Sequence, residues 1–127
     1  MVFEKIRIGK EGEQLAVQSL EGRGYRIVER NFRNNLGEID IIALDADTVC
    51  FIEVKRRRSG SKGTPFDAVS KTKQHKLSRV ALSYLKFKNL IDKRARFDIV
   101  SITRDEGGQN CVTILKNAFD LSSRYAY

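Results

Sequence analysis

Gly37-Glu38-Ile39-Asp40-Ile41-Ile42-Ala43-Leu44, then Asp45-Ala46-Asp47, then Thr48-Val49-Cys50-Phe51-Ile52-Glu53-Val54-Lys55 is two apolar runs joined by a short polar link. Runs of this length bounded by turn residues read as strands, so residues 38–44 and 48–56 form a β-hairpin. With a loop of two or four residues, paired residue numbers sum to 93. Leu44 then faces Val49, Ile42 faces Phe51 and Asp40 faces Glu53. Two apolar-on-apolar pairs support that register. It also sets the Cβ atoms of Asp40 and Glu53 about 4.5–5.5 Å apart.

Two carboxylates that close repel unless something positive lies between them. A divalent cation resolves the conflict, since carboxylate oxygens are the preferred ligands of Mg²⁺ and Mn²⁺. Lys55, two residues beyond Glu53, points to the same face of its strand. There it can orient or deprotonate an attacking water, or offset charge building on a phosphate. The plain alternative is a solvated sheet face on which Lys55 is a salt-bridge partner. Against it, both acids interrupt apolar runs that look buried on both faces, where an unpaired charge is costly.

Outward from the hairpin, residues 9–23 read as a helix with Ala16, Val17 and Leu20 at helical spacing. Residues 25–32 read as a strand, closed by a turn at Asn34, Asn35 and Gly37. After the hairpin comes a basic loop, Arg56-Arg57-Arg58-Ser59-Gly60-Ser61-Lys62-Gly63, with Pro65 at its end. Residues 70–88 read as a long helix with an apolar stripe of Leu77, Val80, Ala81, Tyr84 and Leu85. Strands at 96–102 and 111–115 complete the order αβββαββ, which implies a mixed β-sheet flanked by helices in an α/β class.

At 127 residues and 41% hydrophobic, the chain fits one domain that needs no disulfide or structural metal. Cys50 and Cys111 lie in apolar runs and read as buried free thiols of a reduced cytosol. His75 has no readable partner and is placed at the surface. The first ten residues hold no long apolar stretch, and no segment reaches the roughly 20 apolar residues of a membrane span, so a cytoplasmic protein is expected. Lys and Arg number 24 against 16 Asp and Glu, a net charge of +8. A domain this basic attracts polyanions, and nucleic acid is the commonest.

Further candidates surround the acid pair. Glu13 shares the apolar face of the first helix with Ala16 and Leu20 and stands near its start, where the helix dipole favours a carboxylate. Gly9 and Gly12 clear space for it to reach a metal; a capping role is the alternative. Lys73 and Gln74 sit at the inward edge of the long helix and are candidates to touch the scissile phosphate. Arg33, Arg56, Arg57, Arg58 and Lys62 flank the site and suit phosphate contacts, the alternative being a solvated edge.

Gly37-Glu38-Ile39-Asp40 followed by Phe51-Ile52-Glu53-Val54-Lys55 resembles the PD-(D/E)xK signature of restriction-endonuclease-like nucleases, with Asp40 as its lone aspartate and Glu53 and Lys55 as its ExK. Glu13 matches the extra acid of the Holliday-junction-resolvase branch. More widely, Gly9-x-x-Gly12-Glu13-x-x-Ala16, Gly24-Tyr25, Asn31-x-Arg33, Glu53-Val54-Lys55-x-Arg57, Lys73, Ala81-x-x-Tyr84-Leu85, Arg96-Phe97-Asp98 and Ala118-Phe119 are similar to the YraN-like bacterial family over residues 9–119. The resemblance implies a resolvase-like fold and, by analogy, a homodimer. The expected function is a Mg²⁺- or Mn²⁺-dependent endonuclease acting on DNA, including branched DNA, with Glu13, Asp40, Glu53 and Lys55 as catalytic residues. The alternatives are a non-catalytic nucleic-acid-binding module and a DNA-processing adaptor that keeps the fold.

Overall fold

The computed structural model describes residues 2–58 and 69–121, with side chains from residue 10 onward. Its elements are α1 (Val2–Gly22), β1 (Arg26–Asn34), β2 (Gly37–Asp45), β3 (Thr48–Arg58), α2 (Lys71–Phe87), β4 (Ala95–Arg104) and β5 (Asn110–Phe119). The expected order αβββαββ is thus observed. The five strands form one sheet in chain order, and only β3 and β4 run parallel. That pair is parallel because α2 lies between the two strands in sequence, and parallel neighbours need a long crossover.

The hairpin register is the expected one, with Leu44 opposite Val49 and Ile42 opposite Phe51. Asp45 pairs with Thr48, so the loop is Ala46-Asp47 with Ala46 at φ 52°. The β2–β3 ladder runs as far as Ile41 and Ile52. Side chains of Ile41 and Ala43 pack toward α1 with Leu20, Cys50, Ile52 and Val100. Ile42 packs toward α2 with Phe51, Leu77, Tyr84 and Phe97. Strict alternation breaks at Ile39, which joins the α2 side. Asp40 therefore sits where the strand turns over, opposite a β1 whose Asn31 adopts φ 55°.

Several boundaries differ from the sequence reading. α1 begins seven residues earlier than expected. β3 continues through Arg58 because parallel β4 pairs with it to Arg104, so Arg56, Arg57 and Arg58 are strand residues and not loop. The remainder of the basic loop, including Lys62 and Pro65, lies outside the described residues. β5 runs four residues past Leu115, bending at Asn117, whose φ is 54°. Cys50 is buried, but Cys111 is exposed, because β5 is an edge strand with one face open to solvent. His75 is half-buried. Among the described residues no helix is long and apolar enough to cross a membrane.

Helix α2 starts at an N-cap, Ser70, whose hydroxyl accepts a hydrogen bond from the Lys73 N–H. It is held close to β2 at Gly37, where a Cβ would lie 3.1 Å from Val80 Cγ2 and where φ is 146°. Only glycine suits both conditions. This contact seats the middle of α2 against the start of β2, the end of the hairpin that carries the acids.

Candidate functional site

Asp40 and Glu53 lie just past the end of the β2–β3 ladder. Asp40 Oδ2 accepts a 2.8 Å hydrogen bond from the Val54 N–H, so a side chain satisfies backbone where the ladder stops. Glu53 is only 7% exposed and its Oε2 is buried with no hydrogen-bond donor. Lys73 Nζ stands 3.4 Å from that oxygen, an ion-pair distance without a hydrogen bond. An orphaned carboxylate oxygen in so closed a place carries a desolvation cost.

The pair is electrostatically frustrated. Burial, then hydrogen bonding to and repulsion by Glu53, push the Asp40 carboxyl up to about 7, against the opposing pull of the Val54 N–H and Lys73. A raised carboxyl beside a second carboxylate is the usual outcome of such crowding. A cation can take the proton's place.

Glu13 does not converge with them. Its Oε1 accepts hydrogen bonds from Arg30 Nε at 2.9 Å and Asn31 Nδ2 at 3.0 Å. Among the described residues no group of three or more acids, His or Cys stands ready to hold a metal. The expected three-carboxylate set is thus reduced to a pair, because β1 supplies Glu13 with its own cation. Glu13 and Asp40 nonetheless border one open cavity of about 600 Å³ with Lys10, Asn31, Arg33 and Arg56.

The expected cations divide. Lys73 is at the site. Lys55 follows Glu53 on β3, is half-buried, and forms no ion pair among the described residues. Arg33 reaches the cavity but pairs with Glu38 at 2.8 Å, both largely exposed. Arg56 lines the cavity beside Gly12, where a Cβ would come within 2.9 Å of its Cδ. The space cleared by Gly12 is therefore used by Arg56. Gln74 turns away and donates from Nε2 to the Val69 carbonyl at 3.1 Å. Arg57 and Arg58 continue β3 opposite Thr103 and Arg104.

Lys10 borders the cavity and was not singled out from sequence; Asn31, quoted there only within a family motif, borders it too. Lys10 precedes Glu13 by three positions, hence shares its helix face, and that spacing was the available signal. A second buried acid entered the sequence reading only within the motif Arg96-Phe97-Asp98. Asp98 is fully buried and accepts from Tyr25 Oη at 2.9 Å, Arg96 Nε at 3.0 Å and the Asn117 N–H at 2.9 Å. Arg96 also reaches Asp45 at 2.6 Å. Burial and then the Asp98 charge push the Tyr25 hydroxyl far above its ordinary value. With every donor supplied by the fold, this acid is structural, whereas Asp40 and Glu53 remain short of positive charge.

A model of the family described as "Uncharacterised protein family UPF0102" matches residues 12–102. A UPF0102 protein of Syntrophus aciditrophicus is 46% identical over 125 residues, covering 96% of this chain and 98% of its own length. One of Desulfosudis oleivorans is 46% identical over 120 residues, covering 94% and 95% respectively. One of Geobacter sulfurreducens is 43% identical over 115 residues, covering 91% and 90%. These matches agree with the resemblance to the YraN-like family.

Proposed function

The chain belongs to the UPF0102 family, and from the geometry of its own site we propose that it is an endonuclease hydrolysing phosphodiester bonds in DNA, with Mg²⁺ or Mn²⁺ held by Asp40 and Glu53. The observation that carries this is the close carboxylate pair in which buried Glu53 Oε2 lacks a donor and half-buried Asp40 is held up to about 7. Two carboxylates suffice for Mg²⁺, which usually keeps several waters and takes further oxygens from substrate phosphate. When bound, the ion supplies Lewis-acid polarisation of a phosphoryl oxygen and lowers the pKa of the attacking water.

The chain's own residues do the rest. Asp40 and Glu53 bind and orient the ion, and the Val54 N–H fixes the Asp40 carboxylate. Lys73, at 3.4 Å from Glu53, and Lys55 on the same strand offset negative charge on a phosphate drawn to the pair. Arg33, Arg56 and Lys10 line the cavity beside Asp40 and suit flanking phosphates. Glu13 accepts from Arg30 and from Asn31, and so orients Asn31 where it borders that cavity. The order αβββαββ, with acids on the central hairpin, supports a restriction-endonuclease-like fold as the frame for this chemistry.

Titration calorimetry with Mn²⁺, run beside Asp40→Asn and Glu53→Gln, tests the ion site. A parallel screen of linear, flapped and four-way DNA tests hydrolysis. Binding and cleavage lost together in both folded variants is the expected result. Full cleavage retained by either variant would sink the assignment. Mn²⁺ binding with no cleavage of any substrate would favour the adaptor reading.

A further inference from the structure

The solvent face of α2 leads away from the acid pair and carries only positive charge. The helix, Lys71 to Phe87, contains Lys71, Lys73, Lys76, Arg79 and Lys86 and no acid. Two of these cations stand in its first turn, where the helix dipole disfavours them. Within the helix itself no glutamate or aspartate stands three or four residues away to compensate them. From Lys71 to Arg94 the sequence holds eight Lys and Arg against Asp92 alone. Lys76, Arg79 and Lys86 are exposed, and among the described residues none of the three forms an ion pair. Their spacing of three and then seven residues sets them along one stripe.

The stripe ends at an aromatic ring. Phe87, the last residue of α2, is 80% exposed. A single exposed apolar residue is ordinary by itself. Here the ring is bracketed by Lys86 and Lys88, and Lys88 Nζ lies 5.6 Å from its centroid. Lys93 and Arg94 follow, both exposed. Cations around an open aromatic face match a stacked nucleobase with its phosphates neutralised, and they disfavour burial against another apolar protein surface.

Resting on the hydrolase reading above, we propose that the α2 face is a track for the nucleic-acid backbone and that Phe87 is a stacking platform for an unpaired base. Lys73 at the acid pair and Phe87 are fourteen residues apart, roughly 21 Å along the helix axis. That corresponds to about six base steps of 3.4 Å from the cut. The substrate class is therefore DNA with a single-stranded segment beginning near the duplex that is cut, such as a flap or fork.

The chain contains no tryptophan, so Phe87→Trp installs a single indole reporter. Titrations are run in EDTA, where binding is read without cleavage, against blunt duplex, flapped duplex and single-stranded DNA. The flap and the single strand are expected to quench the indole, and the blunt duplex is not. Phe87→Ala, at an exposed site that spares the fold, is expected to weaken flap binding about tenfold and leave duplex binding unchanged. Equal quenching by duplex, or flap binding by Phe87→Ala equal to wild type, overturns the proposal. A Phe87→Ala shift from dimer to monomer in sedimentation overturns it too and assigns the ring to an interface between copies. Failure of the wild type to cleave any DNA with Mn²⁺ would refute the hydrolase reading while leaving these binding results standing.

Discussion

Replacing Asp40 by asparagine is expected to stabilise the metal-free protein, and by an amount that depends on pH. The Asp40 carboxyl titrates at about 7 in the folded chain, against about 3.9 when unfolded. At pH 5 to 6 the native state therefore holds a proton that the unfolded chain has released. With more protons bound in the native state, stability falls as pH rises from about 4 to about 7 and is level above that. Three pKa units at 1.36 kcal/mol each set a ceiling of about 4 kcal/mol. Because Asp40 is only partly enclosed, screening brings the expected loss to about 2 kcal/mol. Asparagine carries no charge, can still accept from the Val54 N–H, and can donate to Glu53. The variant should match wild type near pH 4, already exceed it slightly at pH 5, and exceed it by about 2 kcal/mol at pH 8, or roughly 8 °C in Tm for a domain of this size. Thermal melts in EDTA at pH 5, 6, 7 and 8 read the gap. Saturating Mn²⁺, at about a hundred times Kd, should then raise wild type by about 2.7 kcal/mol and leave the variant unmoved. A gap that does not widen with pH, or a variant less stable throughout, would refute the frustrated pair.

Three other perturbations separate frame from site. Asp98→Ala strands buried Tyr25 Oη and Arg96; a loss of about 3–5 kcal/mol in urea unfolding is expected, with Mn²⁺ affinity kept under folding conditions. Gly37→Ala forces a side chain at φ 146° and 3.1 Å from Val80 Cγ2, so the same assay should show a loss of about 1–3 kcal/mol. Gly12→Ala should raise helix stability by about 0.5–1 kcal/mol, yet weaken DNA binding several-fold by anisotropy, because the new Cβ displaces the Arg56 side chain that lines the cavity.

The element order was legible because each strand is a run of Ile, Val and Phe bounded by polar turns, and α2 carries its apolar stripe at helical spacing. The hairpin register was legible for a stronger reason: a two-residue loop leaves one pairing that sets Ile42 on Phe51 and Leu44 on Val49. The rest was set by neighbours. β3 runs on through three arginines because β4 offers a parallel partner as far as Arg104. β5 passes polar Lys116 and Asn117 because Asn117 takes a left-handed bend and donates its N–H to Asp98. The role of Glu13 depended on where β1 would deliver Arg30, which no local pattern reports. The break in alternation at Ile39 was equally hidden.

Asp40, Glu53 and Asp98 carry the same sequence signal, an acid inside an apolar strand, and the structure separates them by what surrounds each. Asp98 has a cation two residues away on its own strand, a phenol from the α1–β1 junction and a backbone donor from β5. Its charge is fully answered, and losing it should cost stability. Asp40 and Glu53 have one backbone donor and one ammonium, at 3.4 Å, between them. Their combined charge is only partly answered by the fold, and neutralising Asp40 should gain stability. Burial of an acid therefore does not by itself mark a reactive site; an unmet demand for positive charge does. The sign of the stability change on neutralisation distinguishes the two cases without any substrate in hand.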